Sequence, residues 1–554
     1  MTATDADVVV VGAGFAGIYA VHALRGRGLR VTGFESGSGV GGTWFWNRYP
    51  GARCDVESLD YQYAFDPGIN DGWTWSERYA TAPEILRYAD WVADRLGVRS
   101  AFRFGTTVTS ARYDEREAVW EVVASDGTTT RARFVVAASG SISATSVPPF
   151  AGVEDFEGLS LHPGRWPHDG VDLSGARVAV IGVGSSGVQL VPELARTAAE
   201  LTVFQRTPAY TIPARNRPLY ADEVIRARKQ ASQRADRRRA SPSGLSDIFT
   251  TQTLRDTPEP ERSRRLDEAW KLGGNLFFTT FIDAPVDPES NERLADYVRD
   301  RIAETVEDPE TAEALTPRDY PIGGKRIVTD TDFHATFNLP HVDLVDLRAD
   351  PIERITPRGV ATRSGERPFD VIVYATGYDN LTGALTRVDY RGRDGVALAD
   401  AWRDGVRTYL GIQTAGFPNL FMITGPQSPS VLVNMFAAIE QHVEWVADAI
   451  TRLGTGGAAI EPREASEQEW SETVEAAFGR TLKTRARSWY RGQNIEGKPT
   501  RALVYAGGLL DYRRRCDAEA ENGYPGFHLT GSESVSPAGS TGPTTTTIAK
   551  EYQP

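Results

Sequence analysis

The chain has 554 residues, more than one hydrophobic core can organise, so two or three domains are expected. Hydrophobic residues make up 40% and charged residues 24%, an ordinary globular composition, and the net charge of −13 argues against nucleic acid or an anionic membrane surface as partner. There are only two cysteines, Cys54 and Cys516, with no CxxC pair, no basic-then-apolar leader, no apolar run of membrane length and no cluster of metal ligands, so a cytoplasmic protein without a structural metal is expected.

Residues 7–11 form a continuous apolar run of the kind a buried parallel strand shows. The glycine turn Gly12-Ala-Gly14-Phe-Ala16-Gly17 follows, then a helical Ile18–Leu24 and a second short strand, Arg30–Glu35. Glycines in this pattern let backbone approach a pyrophosphate, and an acid at Glu35 suits a ribose diol while repelling a 2′-phosphate. The site should therefore take FAD or NAD. The segment Gly41–Asp55 is crowded with aromatic residues, glycines and the arginines Arg48 and Arg53 before Asp55. A packed aromatic loop would account for it, but its place directly after a nucleotide turn favours a site role.

Phe134–Ala138 and Asp370–Gly377 read as strands that carry the chain between two nucleotide domains. Between them lies Phe156-Glu-Gly158, then His162, Trp166 and Pro167, and the strand–turn–helix pattern returns at Arg177–Ile181, Gly182-Val-Gly184-Ser185-Ser186-Gly187 and Val188–Ala195. The following strand, Leu201–Gln205, ends in Arg206-Thr207 instead of an acid, and a guanidinium there can grip a phosphate dianion, so NADP(H) is expected. Residues 215–322 carry helical spacing and read as an insertion. The run Arg226–Arg239 holds six arginines and a lysine and is read as a solvated helix face. Gly531–Thr547 is rich in Ser, Thr, Gly and Pro, as a flexible surface tail would be.

The stretch 156–167 reads FxGxxxHxxxWP and the stretch 41–55 reads GGxWxxxxYPGxxxD. Together they resemble the two fingerprints of the type I Baeyer–Villiger monooxygenases, in particular the branch that acts on phenylacetone, steroids and cyclopentadecanone. Two segments depart from the usual form: Glu496 stands where the family usually has proline in NIPGK, and Ala137-Ala-Ser-Gly140 replaces the commoner Ala-Thr-Gly. The resemblance implies an α/β fold of two Rossmann-like domains for FAD and NADP, with the helical insertion in the second. It implies the division 1–140 and 379–530 for FAD, 141–214 and 323–378 for NADP, 215–322 for the insertion and 531–554 for the tail. The implied reaction uses NADPH and O2 to convert a hydrophobic ketone to an ester or lactone through a C4a-peroxyflavin, with sulfoxidation as a side activity and a monomer as the working form.

By that resemblance Arg326 is the catalytic cation and Asp55 holds it. Gly12, Gly14, Ala16, Gly17, Glu35, Thr43, Trp44, Asp55, Tyr61, Val108 and Met435 meet FAD. Arg53, Cys54, Asp55, Gly182, Gly184, Ser185, Ser186, Gly187, Arg206, Thr207, Lys325 and Trp489 meet NADP(H), and Ser430, Val431 and Leu432 line the substrate pocket. His162 is expected to serve domain movement, not acid–base chemistry. A flavin N- or S-oxygenase and an NADP(H)-sensing flavoprotein are the alternatives.

Overall fold

The computed structural model describes residues 4–246, 250–454, 456 and 458–530, and the 531–554 tail lies outside them. Ala6–Val11 is buried at every position and pairs in parallel with Val31–Phe34 on one side and Thr129–Ala137 on the other. Strands covered on both faces need no polar alternation, which is why the run reads as uninterrupted valine. The sheet has eight strands among the described residues. Val108–Asp114, Val119–Ala124 and Thr129–Ala137 form an antiparallel wing. Two late segments complete it: Asp389–Arg391 pairs with the wing's edge, and Leu420–Met422 lies parallel to Val135–Ala137.

The second sheet is entirely parallel, in the order Val342–Asp346, Glu200–Gln205, Arg177–Ile181, Val371–Tyr374, Leu159–Leu161. Alternation along its strands serves two cores. Val178, Val180, Val371 and Val373 join the large cluster, whereas Ala179, Ile181, Ile372 and Tyr374 face the other way. There they meet Ile355 and Val360 of a three-stranded antiparallel sheet, Ile352–Thr356, Gly359–Thr362 and Gly365–Pro368.

Residues 215–322 contain helices and no named strand among the described residues. Their neck is a parallel pair, Thr211–Pro213 against Val328–Asp330, which brings the ends of the insertion together. The arginine run corrects the sequence reading. It forms two helices, Ala221–Lys229 and Ala231–Ala240, and one side of them docks on the first domain. Arg234 pairs with the buried Asp60 at 2.7 Å, Arg228 donates to the Trp73 carbonyl at 3.1 Å, and Arg238, 4% exposed, donates to the Gln62 carbonyl at 3.0 Å. Only Arg226, Arg237 and Arg239 of the six keep an exposed position.

Candidate functional site

The two glycine turns are built alike. Gly12 and Gly182 have φ of +105° and +107°, and a Cβ on either would stand 2.6 Å from a carbonyl oxygen, that of Ala138 or Ala375. Only glycine tolerates that backbone at that approach. A Cβ on Gly17 or Gly187 would collide with the carbonyl of Gly12 or Gly182. The helices that follow, Phe15–Gly26 and Ser185–Ala195, start at Gly14 and Gly184 with no side-chain cap and no acid in the first turn. Their first N–H groups are thus left to a ligand, and Gly184 faces open space. Both turns fit a pyrophosphate.

Glu35 is buried at the end of Val31–Phe34. It accepts from Ala13 N and Gly37 N, each at 2.7 Å, so its carboxylate also fixes the first turn. Gly41 N donates to Ala13 O at 3.0 Å, which lays the Gly41–Asp55 segment beside that turn. Thr43 and Trp44 open the short helix Thr43–Trp46, and Trp44 Nε1 donates to Tyr61 OH at 3.0 Å. Tyr61 stands edge-on to Phe436 at 4.9 Å, next to Met435 at the start of helix Met435–Leu453. Ala16 is buried in the first turn of its helix, and Val108 is buried in the core, so its backbone alone remains for a ligand.

Asp55 and Arg326 meet in a bidentate pair, Nε to Oδ2 at 2.6 Å and Nη2 to Oδ1 at 2.7 Å. Arg326 Nη1 donates to the Val431 carbonyl at 3.0 Å. The Asp55 charge is the main cause that raises the Arg326 pKa further above its ordinary value, against the effect of burial. Lys325 faces another way, over the Tyr320 ring at 4.8 Å. Burial, and then the charge of Arg206, lower its pKa. The charge of the exposed Arg206 is thus felt at Lys325, and neither side chain makes an ion pair within 4.0 Å among the described residues. Thr207 follows Arg206 at the end of its strand, half-buried.

Other expected residues are placed differently. The Arg53 guanidinium is engaged by Glu77 at 2.5 Å and by the Tyr79 carbonyl at 2.9 Å. Its backbone instead joins the two nucleotide domains: Gln189 Nε2, on the helix of the second turn, donates to Arg53 O at 3.1 Å. Ser186 and Ser185 open that same helix. Cys54 is buried, and burial pushes its thiol up, so no thiolate forms there. Ser430 is fully buried at φ +38°, while Val431 and Leu432 are half-buried, so of the three only the latter two keep accessible side-chain surface.

The Phe156–Pro167 fingerprint builds scaffolding. Gly158 lies where a Cβ would strike Asp370 O, Phe156 packs on the second core, and Trp166 is buried. His162 Nδ1 accepts from Gly164 N at 3.0 Å, so the N–H belongs on Nε2, which meets Gly377 O at 3.1 Å. Burial lowers the pKa of His162, which keeps this neutral tautomer. Arg165 sits over the Trp46 ring at 4.5 Å, His168 meets Phe45 edge-on at 4.8 Å, and Pro167 O accepts from Gly170 N. The two fingerprints thus pack against each other.

Three residues escaped the sequence reading. Tyr490, beside half-buried Trp489 in Trp489–Arg491, is buried, and its ring lies 5.6 Å from Lys483 Nζ. Lys483 Nζ donates to Gly323 O at 2.7 Å, three residues before Arg326, and burial and Arg326 push its pKa down to about 8. Arg487 adds a third positive charge near Lys325. Tyr490 adjoins a recognisable motif, whereas nothing in the local sequence marks Lys483.

A family model described as pyridine nucleotide-disulphide oxidoreductase matches residues 6–230. The two cysteines are buried and unpaired, so the match carries the nucleotide fold and not a redox disulfide. A Baeyer–Villiger monooxygenase of Pseudooceanicola batsensis is 40% identical over 527 residues, spanning 94% of this chain and 95% of the relative. Phenazine N-monooxygenase of Lysobacter antibioticus is 39% identical over 95% of this chain and 97% of its own length. The crystal structure of OTEMO in complex with FAD and NADP is 40% identical, with a TM-score of 0.92 over 96% of this chain and all of that one.

Proposed function

The chain belongs to the type I Baeyer–Villiger monooxygenases, and on that footing we propose that Arg326, clamped by Asp55, supplies the fixed positive charge for oxygen insertion beside a ketone. The enzyme is an FAD- and NADPH-dependent oxygenase. Ketone, O2, NADPH and a proton give ester or lactone, NADP+ and water. Bound FAD supplies the two-electron chemistry between NADPH and O2.

The observation that carries this reading is the bidentate pair, which joins residue 55 to residue 326. An arginine cannot lose its proton, so its charge persists wherever negative charge builds on the attacked carbonyl oxygen. Asp55 fixes the plane of the guanidinium. Gly12–Gly17 would hold the FAD pyrophosphate and Gly182–Gly187 that of NADP(H). Arg206 and Lys325 would grip the 2′-phosphate, with Arg487 adding charge. Val431 and Leu432 offer apolar wall, and Trp489 would cap it, which suits a hydrophobic ketone. The reading further assigns a monomer working on a small molecule in the cytoplasm, with no nucleic-acid or membrane partner. Gel filtration and fractionation test this. Among the described residues no helix is long and apolar enough to cross a membrane.

Arg326→Ala should leave flavin reduction by NADPH near the wild-type rate and lower ester formation about 10²–10³-fold, the usual effect of removing one charge-stabilising donor. Near wild-type ester output, read by gas chromatography, would remove Arg326 from the mechanism. The phenazine N-monooxygenase relative favours a second reading, oxygen transfer to nitrogen. A panel of ketones and aromatic N-heterocycles separates the two by product, ester or N-oxide.

A further inference from the structure

Gln189 stands on helix Ser185–Ala195, the helix of the second glycine turn, and its side chain is spent on the first domain. The segment it meets already has a partner on one edge. Ala82 N donates to Ala52 O at 2.8 Å and Cys54 N to Ala80 O at 3.4 Å, with Arg53 opposite Thr81 in an antiparallel bridge. In that register the Arg53 N–H and C=O point away from the partner, toward the other edge. Both have to be answered there.

The Gln189 amide occupies that edge as a neighbouring strand would. Its Oε1 accepts from Arg53 N at 3.4 Å, and its Nε2 donates to Arg53 O at 3.1 Å. Oε1 also accepts from Tyr49 OH at 2.9 Å. Gly51 lets the segment come this close: a Cβ there would stand 2.4 Å from Gln189 O. On the far side the Arg53 guanidinium is tied to Glu77 and to the Tyr79 carbonyl. Arg53 is thus held through its N–H, its C=O and its side chain, and Asp55, two residues on, grips Arg326.

We propose that Gln189 is a positioning residue of the oxygenation site: by fixing the Arg53 backbone to the helix of the second nucleotide turn, it sets where Asp55 presents Arg326. This rests on the assignment of Arg326 as the charge for oxygen insertion. The NADP(H) domain then does more than deliver a hydride, because one of its helices also aligns the Asp55–Arg326 pair. With that alignment lost, electrons from NADPH still reach O2 but no longer reach the ketone as inserted oxygen: NADPH, O2 and a proton give NADP+ and H2O2.

The test uses the FAD-loaded full-length enzyme, with phenylacetone as the ketone and cyclohexanone in its place if wild type does not convert it. Gln189→Met keeps the length of the side chain and loses the amide. Flavin reduction by NADPH and the Kd for NADP+ should stay near wild type, while ester formed per NADPH consumed should fall about 10-fold, with H2O2 making up the difference. Arg196→Ala, exposed at the end of the same helix, should leave the ratio unchanged. Gln189→Asn, one methylene short of Arg53, should reproduce the loss, and it serves if Gln189→Met does not fold. In an Asp55→Asn background Gln189→Met should lower ester formation no further, since both act through one pair. An ester-to-NADPH ratio like that of wild type in both Gln189 variants overturns the proposal, as do equal losses in flavin reduction and ester formation, or losses that multiply in the double variant. Arg326→Ala separates the two readings: if it abolishes ester while the Gln189 variants stay coupled, only the role of Gln189 fails.

Discussion

Asp55 and Arg326 lie 271 residues apart, yet their side chains share two hydrogen bonds. Each hydrogen bond to a charged group contributes about 1.5–3 kcal/mol when shielded, and these side chains are 17% and 32% exposed, so the lower end applies. Asp55→Asn keeps the shape and loses the charge. It should cut ester formation more than flavin reduction, read as a fall in kcat with little change in the KM for NADPH; equal losses in both half-reactions would return Asp55 to a purely structural role. Lys483 sets a pH dependence. Its native pKa is pushed down to about 8, while the unfolded side chain keeps its proton well beyond that. The burial cost is therefore complete below pH 8 and is relieved as the pH rises above it. Above pH 8 the ammonium that holds Gly323, and whose charge is felt by Arg326, is lost, so the rate of ester formation should bend near pH 8, and Lys483→Met should remove the bend. A profile unchanged by the substitution would discard the link. Arg206→Ala should raise the KM for NADPH far more than that for NADH, since only NADPH carries the 2′-phosphate; equal increases would sink the assignment.

At the scale of elements, the glycine turns were the most legible part of the sequence. Their spacing fixes backbone that no other residue can supply. The helices begin three residues earlier than their apolar pattern, at Phe15 and Ser185, because the last residues of each turn are also the first turn of its helix. Gly187→Ala tests the second turn: its methyl would stand 2.1 Å from Gly182 O. NADPH-driven flavin reduction should collapse while FAD stays bound, as seen by absorbance after gel filtration. Loss of both cofactors together would mean that the two turns are not independent. The arginine helices were misread because composition counts charges and does not say which face docks. Arg228, Arg234 and Arg238 find partners in Trp73, Asp60 and Gln62, more than 150 residues earlier. Asp389–Arg391 and Leu420–Met422 were equally hidden, since three-residue strands have no period to read.

At the scale of the whole molecule, the crossings between the sheets carry the docking. Tyr378 OH donates to Asn47 Oδ1 at 2.5 Å and Asn494 Nδ2 donates to Tyr378 O at 2.8 Å, while His162 braces Gly377 within the second sheet's own domain. Glu496 is exposed beside these bonds, so its departure from the family's proline leaves them intact. Burial lowers the pKa of His162 and pushes that of His442 down to about 4, so in acid the unfolded chain takes protons that the native rings resist. Stability should fall as pH drops below about 6.5, and His162→Gln should make the fall shallower in urea titrations from pH 7 to 5. An unaltered slope would show that His162 titrates alike folded and unfolded.

The first sheet, begun at Ala6, receives its last strand only at Leu420, after the whole of the second sheet. Roughly 280 residues separate Ala137 from that strand, on the order of 15–55 s of ribosome time at 5–20 residues per second. The nascent amino-terminal strands must wait with an open edge beside Val135–Ala137 while the inner sheet, whose last strand ends at Tyr374, is already complete. Vectorial synthesis would thus finish the later-numbered nucleotide domain first. FAD supply during translation, or a chaperone covering that edge, would then govern the yield of active enzyme more than equilibrium stability does.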